Sequence, residues 1–473
     1  MQISNKYTSF IKISPCPLEE QLRLSSLLIG VITLATTAAA LSVTSAVADP
    51  VSKIAPDITV NGEYRVIVQL QQPSQVRSAL ASAELVNKDK KNVYADPPAE
   101  VADHLNFFVY RGSRAELEEI AKQAGVVSIR EDKLNEPSLI ESIPLIGADK
   151  AHQRHVTGKG TAVAILDTGI DNDHPAFAER IMAQACFSAT DLADNATSLC
   201  PNGSQFQIGD GAANAETEAC MEGASQPERG LCYHGTHVAG IAAGQATKEF
   251  PAAGVAPKAK IIPVQVFSRF TDSPYCGVHP FCVKAYESSI LTGMVYVNLL
   301  AKQYNIAAVN LSLGGSRYET VCDEGDGKDF KAQVEKLIAN GTATVVASSN
   351  YGFDDAVSWP ACVSNTVAVG ATNNQDAVAT FSNRGPLIDL LAPGAAIKAA
   401  IVGNTYAYLG GTSMAAPHVA GTFALLHQKH KHSSVDELLD ALKRTGKPIT
   451  YISAGTQVTT PRINVLTALH AKH

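Results

Sequence analysis

Three short segments hold residue types that together form a charge-oriented base and a hydroxyl nucleophile. They are Val163-Ala-Ile-Leu-Asp-Thr-Gly-Ile-Asp171, His234-Gly-Thr-His-Val-Ala-Gly240 and Gly411-Thr-Ser-Met-Ala-Ala-Pro-His-Val-Ala-Gly421. An apolar run ends on Asp167, one Gly-rich turn carries His234, and a second carries Ser413. A serine hydroxyl is a weak nucleophile near neutral pH. It needs a base within hydrogen-bond reach, and that base needs an orienting partner. In this set Ser413 is the candidate nucleophile, His234 the base and Asp167 the group that holds the imidazole tautomer, the parts of an acyl-transfer enzyme. Asn350 follows the apolar run Val345-Val-Ala-Ser-Ser349 and supplies a neutral amide suited to receive an oxyanion. Ser413 opens a helical stretch, so backbone N–H groups and the positive end of the helix point to the same place.

These residues need a scaffold that brings chain-distant positions to one rim. From Gly158 onward, short apolar runs alternate with helical stretches. Strands are expected at Thr161–Leu166, Ile261–Phe267, Ala307–Leu313, Ala343–Ala347 and Thr366–Ala371. Helices are expected at His234–Ala246, Ala285–Gln303, Lys328–Asn340 and Ser413–His430. Fully apolar strands alternating with helices imply a doubly wound parallel α/β sheet covered on both faces. Ligands in such sheets sit beyond the carboxyl ends of the strands. Asp167 closes its strand and Asn350 lies just past another.

Residues 49–136 read as a separate α+β module, with strands at Tyr64–Leu70, Leu105–Tyr110 and Val126–Arg130, a helix at Arg114–Gln123 and a polar loop at Lys88–Asn92. The stretch from Glu131 to Pro144 is polar and contains proline, the composition of an exposed linker. The first 48 residues resemble an export signal. Lys6, Lys12 and Arg23 precede an apolar run from Leu27 to Val43, and Ala46-Val-Ala48 offers small residues for cleavage. The basic region is unusually long and carries Glu19 and Glu20, so the sequence leaves both Met1 and a later position as the start, and a membrane anchor is the competing reading. At the other end, Ser434 to Ala468 reads as an amphipathic helix, a turn region and a short final helix.

The 473 residues, 45% of them hydrophobic, support a large core. A net charge of −7 with no long basic run argues against nucleic acid as the main partner. Of nine cysteines, all but Cys16 lie between Cys186 and Cys362, with no CxxC spacing. That pattern fits an oxidising compartment and disulfides, Cys276 with Cys282 and Cys322 with Cys362 as nearest choices; the polar stretch Phe177–Tyr233 is expected to be disulfide-clipped loops. Cys232-Tyr-His-Gly-Thr-His237 fits no usual zinc spacing, and His237 and His418 read as packed helix histidines. The His-rich tail reads as solvated surface. Four sequons begin at Asn195, Asn202, Asn310 and Asn340 and matter only in a eukaryotic secretory route.

The three segments match the signatures of the subtilases, and the chain resembles that family from about Leu145 to Leu466. The resemblance implies Asp167, His234 and Ser413 as the triad and Asn350 as oxyanion donor. It implies that residues 49–136 are an inhibitory propeptide, that 137–473 form the peptidase, and that 1–48 are a signal peptide. A secreted or periplasmic monomer follows, acting on protein or peptide substrates, inhibited by its own propeptide and without a stable membrane span. Substrate is expected to add a strand beside Ser312-Leu313-Gly314, with the opposite edge near Phe270–Val283 and Ser348, Ser349 and Val357–Trp359 lining the primary pocket. With no acid at that pocket's base, the preference is apolar or broad. No cofactor is firmly implied. Many subtilases place an Asp after the His-Pro that follows the catalytic Asp; here Ala176 follows His174-Pro175, and Gln245–Pro251 has no Asn or Asp. Calcium is left to Asp191, Asp194 or Asp210. A lipase or esterase would need G-x-S-x-G and the order Ser, Asp, His, which this chain lacks. A fold retained for binding alone is at odds with a complete triad.

Overall fold

The backbone of β5, Ala162–Asp167, explains most of the architecture: every residue in it is buried, so it has covered faces on both sides. Val163 and Ile165 join one core cluster, whereas Ala164 and Leu166 join another. The computed structural model describes residues 50–55, 58, 62–76, 78–79, 104–132, 134–137, 143–221 and 230–471. The candidate signal segment 1–48 and the loop Lys88–Asn92 lie outside these residues.

In the N-terminal module β1 (Glu63–Leu70) is flanked antiparallel by β2 (Phe107–Ser113) and β3 (Val126–Glu131). Helix α1 (Arg114–Ala121) buries Leu117, Ile120 and Ala121 beneath this sheet's core face, with Val66, Val68 and Phe108. Its start is set by a capping box. Ser113 Oγ accepts from Glu116 N, and Glu116 Oε2 accepts from Ser113 N at 2.6 Å.

Beyond β4 (Leu134–Pro137), the chain forms α2 (Ala148–Gln153), β5, β6 (Ala185–Phe187), β7 (Ala196–Ser198), β8 (Phe206–Ile208) and α3 (Glu218–Met221). Then come α4 (Tyr233–Ala243), β9 (Lys260–Gln265), β10 (Ser268–Thr271), β11 (Phe281–Tyr286), α5 (Glu287–Leu300), β12 (Ile306–Leu311) and β13 (Leu313–Tyr318). They are followed by α6 (Lys328–Ala339), β14 (Ala343–Ala347), β15 (Val357–Trp359), β16 (Val367–Thr372), β17 (Leu390–Pro393) and the hairpin β18 (Ala395–Ile401) with β19 (Thr405–Gly410). The chain ends in α7 (Thr412–Lys429), α8 (Val435–Thr445), β20 (Lys447–Ser453), β21 (Thr456–Arg462) and α9 (Val465–Ala468).

The central sheet is ten-stranded, in the order β20-β21-β17-β16-β14-β12-β5-β9-β6-β8, and parallel from β21 through β6. Its covered, mostly parallel character is the doubly wound α/β sheet expected. The strand after β5 in this sheet goes to the far side of β9, and β12 returns to β5's other edge. The end of β5 is therefore a switch point, where a crevice opens beyond the strand ends.

Three expectations need correction. The stretch read as one helix from Ala285 begins as strand: β11 runs through Tyr286, and α5 starts at Glu287. Pairing to β10 and β4 outweighs the helical spacing there. The C-terminal turn region is the hairpin β20–β21, which extends the central sheet. Most notably, the expected linker contains β4. It lies antiparallel between β11 (Ala285↔Asn135, Tyr286↔Leu134) and β13 (Leu313↔Pro137, Gly314↔Glu136). Two exposed strand edges satisfy its backbone, which no local pattern foretells.

Candidate active site

The apolar run of β5 carries Asp167 to the rim, where the carboxylate is buried. His234 lies in the first turn of α4, and its Nδ1 meets Asp167 Oδ1 at 2.7 Å. The neighbouring motif residues lock the two elements together. Asp167 Oδ1 also accepts from Thr168 N at 2.7 Å; Thr168 Oγ1 donates to Cys232 O and accepts from Gly235 N, both at 2.9 Å. Thr236 Oγ1 accepts from Asp171 N. Gly235 is required by crowding: a Cβ there would stand 2.2 Å from Gly169 O and 3.1 Å from Asp167 Cβ. The glycine between the imidazole and the next threonine is thus what lets α4 approach the carboxylate.

Ser413 is buried in the first turn of α7, which packs against α4. Its Oγ donates to Ser312 O at 2.9 Å. Asn350 sits past β14, with its Oδ1 accepting from Thr412 N at 2.8 Å and Thr412 Oγ1 at 3.0 Å. An amide whose oxygen is held this way presents its NH2 group as the donor. Thr412 Oγ1 also accepts from Ser349 N, and Asn383 clamps the same loop, donating to Ser348 O at 2.7 Å and accepting from Tyr351 N and Phe353 N.

The segment expected to border substrate lies at and just before the start of β13. Leu313 and Gly314 pair with β4, and Gly315 pairs with Trp359 of β15. A Cβ on Gly314 would meet Ser349 Oγ at 2.5 Å and Trp359 O at 2.9 Å, which groups these residues at one recess. Across β4 from that segment lies Ala285–Tyr286, just beyond the Phe270–Val283 stretch expected to form the opposite edge. His237 and His418 are buried helix residues, bonded to Ala407 O and Met414 O. Thr168, Thr412 and Asn383 went unrecognised in the sequence. Thr168 and Thr412 each carried a signal, their places beside Asp167 and Ser413.

All four expected or open disulfides are resolved: Cys186–Cys200, Cys220–Cys232, Cys276–Cys282 and Cys322–Cys362. The first two clip the polar stretch, which also carries β6, β7 and β8.

Calcium does not fit where the family commonly holds it. Ala176 and Gln245 instead line an apolar cavity of about 270 Å³ with Phe250, Ile397 and Tyr406. Asp191 and Asp194 are engaged by Arg65 and Arg111, which makes them poor cation ligands. Another set was missed: Asp171, Asp173 and Glu216 each offer an oxygen within 4.8 Å of the others. Burial pushes the Asp171 carboxyl up to about 7. No described helix is long and apolar enough to cross a membrane.

Residues 158–463 match the model of the subtilase family. The chain is 28% identical to subtilisin E of Bacillus subtilis (strain 168) over 381 residues, covering 78% of this chain and 83% of the relative. It is 30% identical to a subtilisin of Bacillus pumilus over 329 residues, 69% of this chain and 97% of the relative. A thermophilic serine proteinase of Bacillus sp. (strain AK1) is 30% identical over 310 residues, 66% of this chain and 62% of the relative. A matching family model over most of the chain, on a sheet of this kind, establishes that the protein belongs to the subtilase family and is a serine-type endopeptidase.

Proposed function

We propose that this endopeptidase, which acts on protein substrates, hydrolyses peptide bonds through Asp167, His234 and Ser413, with Asn350 as an oxyanion donor, and is made as an exported, autoinhibited zymogen. The observation that carries the catalytic reading is the 2.7 Å contact between Asp167 Oδ1 and His234 Nδ1 at the rim. With its proton on Nδ1 donated to the carboxylate, the imidazole leaves Nε2 as the base. Nε2 takes the Ser413 proton as Oγ attacks the scissile carbonyl. The carbonyl oxygen becomes an oxyanion, received by Asn350 Nδ2 and backbone N–H at the start of α7. His234 then protonates the leaving amine, and the acyl-enzyme is released by water activated in the same way.

Substrate lies between β11 and β13, with Ser312, Leu313, Gly314 and Ser349 as its contacts. The reading of residues 49–136 as an intramolecular inhibitor is supported by β4, which already fills the space between those two edges. Filling both edges with the chain's own segment denies them to another peptide. The four disulfides support an oxidising destination, secreted or periplasmic. The protein is read as a monomer. No step is routed through calcium; the described carboxylates whose oxygens cluster as a cation would need are Asp171, Asp173 and Glu216.

Casein digestion by the wild type and Ser413→Ala tests the assignment, read together with N-terminal sequencing. The variant is expected to be inactive and to keep its N-terminal module, while the active wild type begins after it. Proteolysis by Ser413→Ala at the wild-type rate would refute the reading.

A further inference from the structure

The charged side chains between the N-terminal module and the peptidase are arranged in a way that the catalytic reading does not use. Three arginines of the module reach carboxylates of the peptidase. Arg65 Nη1 donates to Asp191 Oδ2 at 3.1 Å, and its guanidinium carbon lies 3.7 Å from the centroid of the Tyr286 ring. Arg111 Nη2 donates to Asp191 Oδ2 at 2.9 Å and to Asp194 Oδ2 at 2.6 Å. Arg130 donates to Glu287 and, at 3.4 Å, to Asp329 Oδ2. Tyr286 OH donates to Asp194 Oδ2 at 2.7 Å, so that ring joins Asp191 and Asp194 in one unit.

These acceptors adjoin the substrate edge. Tyr286 is the β11 residue paired with Leu134 of β4, Glu287 opens α5, and Asp329 lies in the first turn of α6. The chain that leads into β4 is laid over the same spot, since Asp132 accepts from Ser288 N at 2.8 Å and Ser288 Oγ at 2.7 Å. Arg130, Glu287 and Asp191 are almost wholly buried. Charges held so deeply need close partners, because an uncompensated one is strongly destabilising. Asp191, Asp194, Glu287 and Asp329 are each paired with a module arginine. When the module leaves, the four acids and Tyr286 remain on the peptidase.

We propose that Glu287 and Asp329 form a guanidinium-recognising subsite of the processed enzyme, which selects polypeptides with an arginine upstream of the segment paired to β11. This rests on the reading that residues 49–136 are removed. An incoming arginine takes the place now held by Arg130. Arginine is preferred to lysine, because its planar group donates to two acceptors at once. Alanine at the same position leaves the acids to water.

The test uses processed enzyme and three synthetic peptides spanning residues 126–137: the native one, Arg130→Lys and Arg130→Ala. Each competes with casein, and its inhibition constant is measured at low and high salt. The native peptide is expected to bind about tenfold more tightly than Arg130→Ala, with Arg130→Lys between them. That advantage should shrink below about twofold in 1 M salt, where the screening length is about 3 Å. It should shrink likewise in Glu287→Gln and in Asp329→Asn enzymes. Equal constants for the native and Arg130→Ala peptides on wild-type enzyme overturn the subsite, whether or not either enzyme variant folds. If the enzyme that shows this equality is sequenced and starts after the module, the zymogen reading stands and the subsite alone falls. If fully active enzyme still carries the module, both fall.

Discussion

Ser312 and Ser413 exchange two hydrogen bonds. Ser413 Oγ donates to Ser312 O at 2.9 Å, and Ser312 Oγ donates to Ser413 O at 2.7 Å. The second bond has a cause in the sequence. Pro417 lies four residues after Ser413 inside α7 and has no N–H, so the Ser413 carbonyl loses its helical donor. Ser312 supplies the replacement, and Asn310 Nδ2 in turn donates to Ser312 Oγ at 2.9 Å. The proline of the Gly-Thr-Ser-Met-Ala-Ala-Pro segment thereby ties the proposed nucleophile to the proposed substrate edge.

Ser312→Ala removes that donor and leaves a buried carbonyl unsatisfied, a cost of about 1–3 kcal/mol. The expected result is a lower melting temperature and a fall in kcat of about tenfold, with KM little changed. Thermal unfolding and steady-state kinetics on a peptide substrate check it; unchanged kcat and stability would mean the bond is incidental.

Asn350→Ala is expected to lower kcat by about 10²–10³-fold with a small effect on KM, because the amide is engaged only as negative charge develops. That size is borrowed from a subtilisin in which the corresponding loss has been used as the worked case. Thr412→Val tests the support of that amide. Losing the hydroxyl that holds Asn350 Oδ1 at 3.0 Å should give a smaller fall, about tenfold, in the same direction. A drop in KM-controlled binding with kcat intact would assign Asn350 to substrate contact instead.

Burial pushes the His237 imidazole down to about 3. An unfolded histidine binds its proton near pH 6.5, so between about pH 3 and 6.5 the unfolded chain carries more protons at this position than the folded one. Stability contributed here therefore rises with pH across that window and is lost as pH falls below about 6.5. By pH 5 the loss is roughly 2 kcal/mol. Urea midpoints at pH 7.5 and pH 5.0, measured in a Ser413→Ala background to stop self-digestion, should differ more for His237 than for His237→Gln. Parallel shifts in the two proteins would remove the histidine from the account.

Eight paired cysteines leave Cys16 as the remaining thiol in the sequence. Denatured protein that retains residues 1–48 is expected to titrate one thiol, and protein that has lost them none. Replacing both Cys322 and Cys362 with alanine opens a 40-residue loop, which chain entropy values at up to about 4 kcal/mol. A clearly lowered melting temperature is the expected outcome, read by calorimetry.

Much was determined by local sequence alone. Fully apolar runs such as Ala162–Leu166 can persist only in a strand covered on both faces, so they announce the parallel sheet. The candidates Asp167, His234, Ser413 and Asn350 stand out in the sequence because glycines or an apolar run flank them, which close packing dictates, as Gly235 against Gly169 and Asp167 illustrates. Tertiary structure alone decided the rest. Leu134–Pro137 has the composition of a linker, yet it becomes a strand because two distant edges, Ala285–Tyr286 and Leu313–Gly314, present unpaired backbone groups on either side of it. Asp191 and Asp194 read as cation ligands in isolation, but Arg65 and Arg111, about eighty or more positions away in the chain, neutralise them. Hydrogen bonds across sheet edges and ion pairs across a packed interface depend on which surfaces meet, and no periodicity along a single segment encodes that meeting.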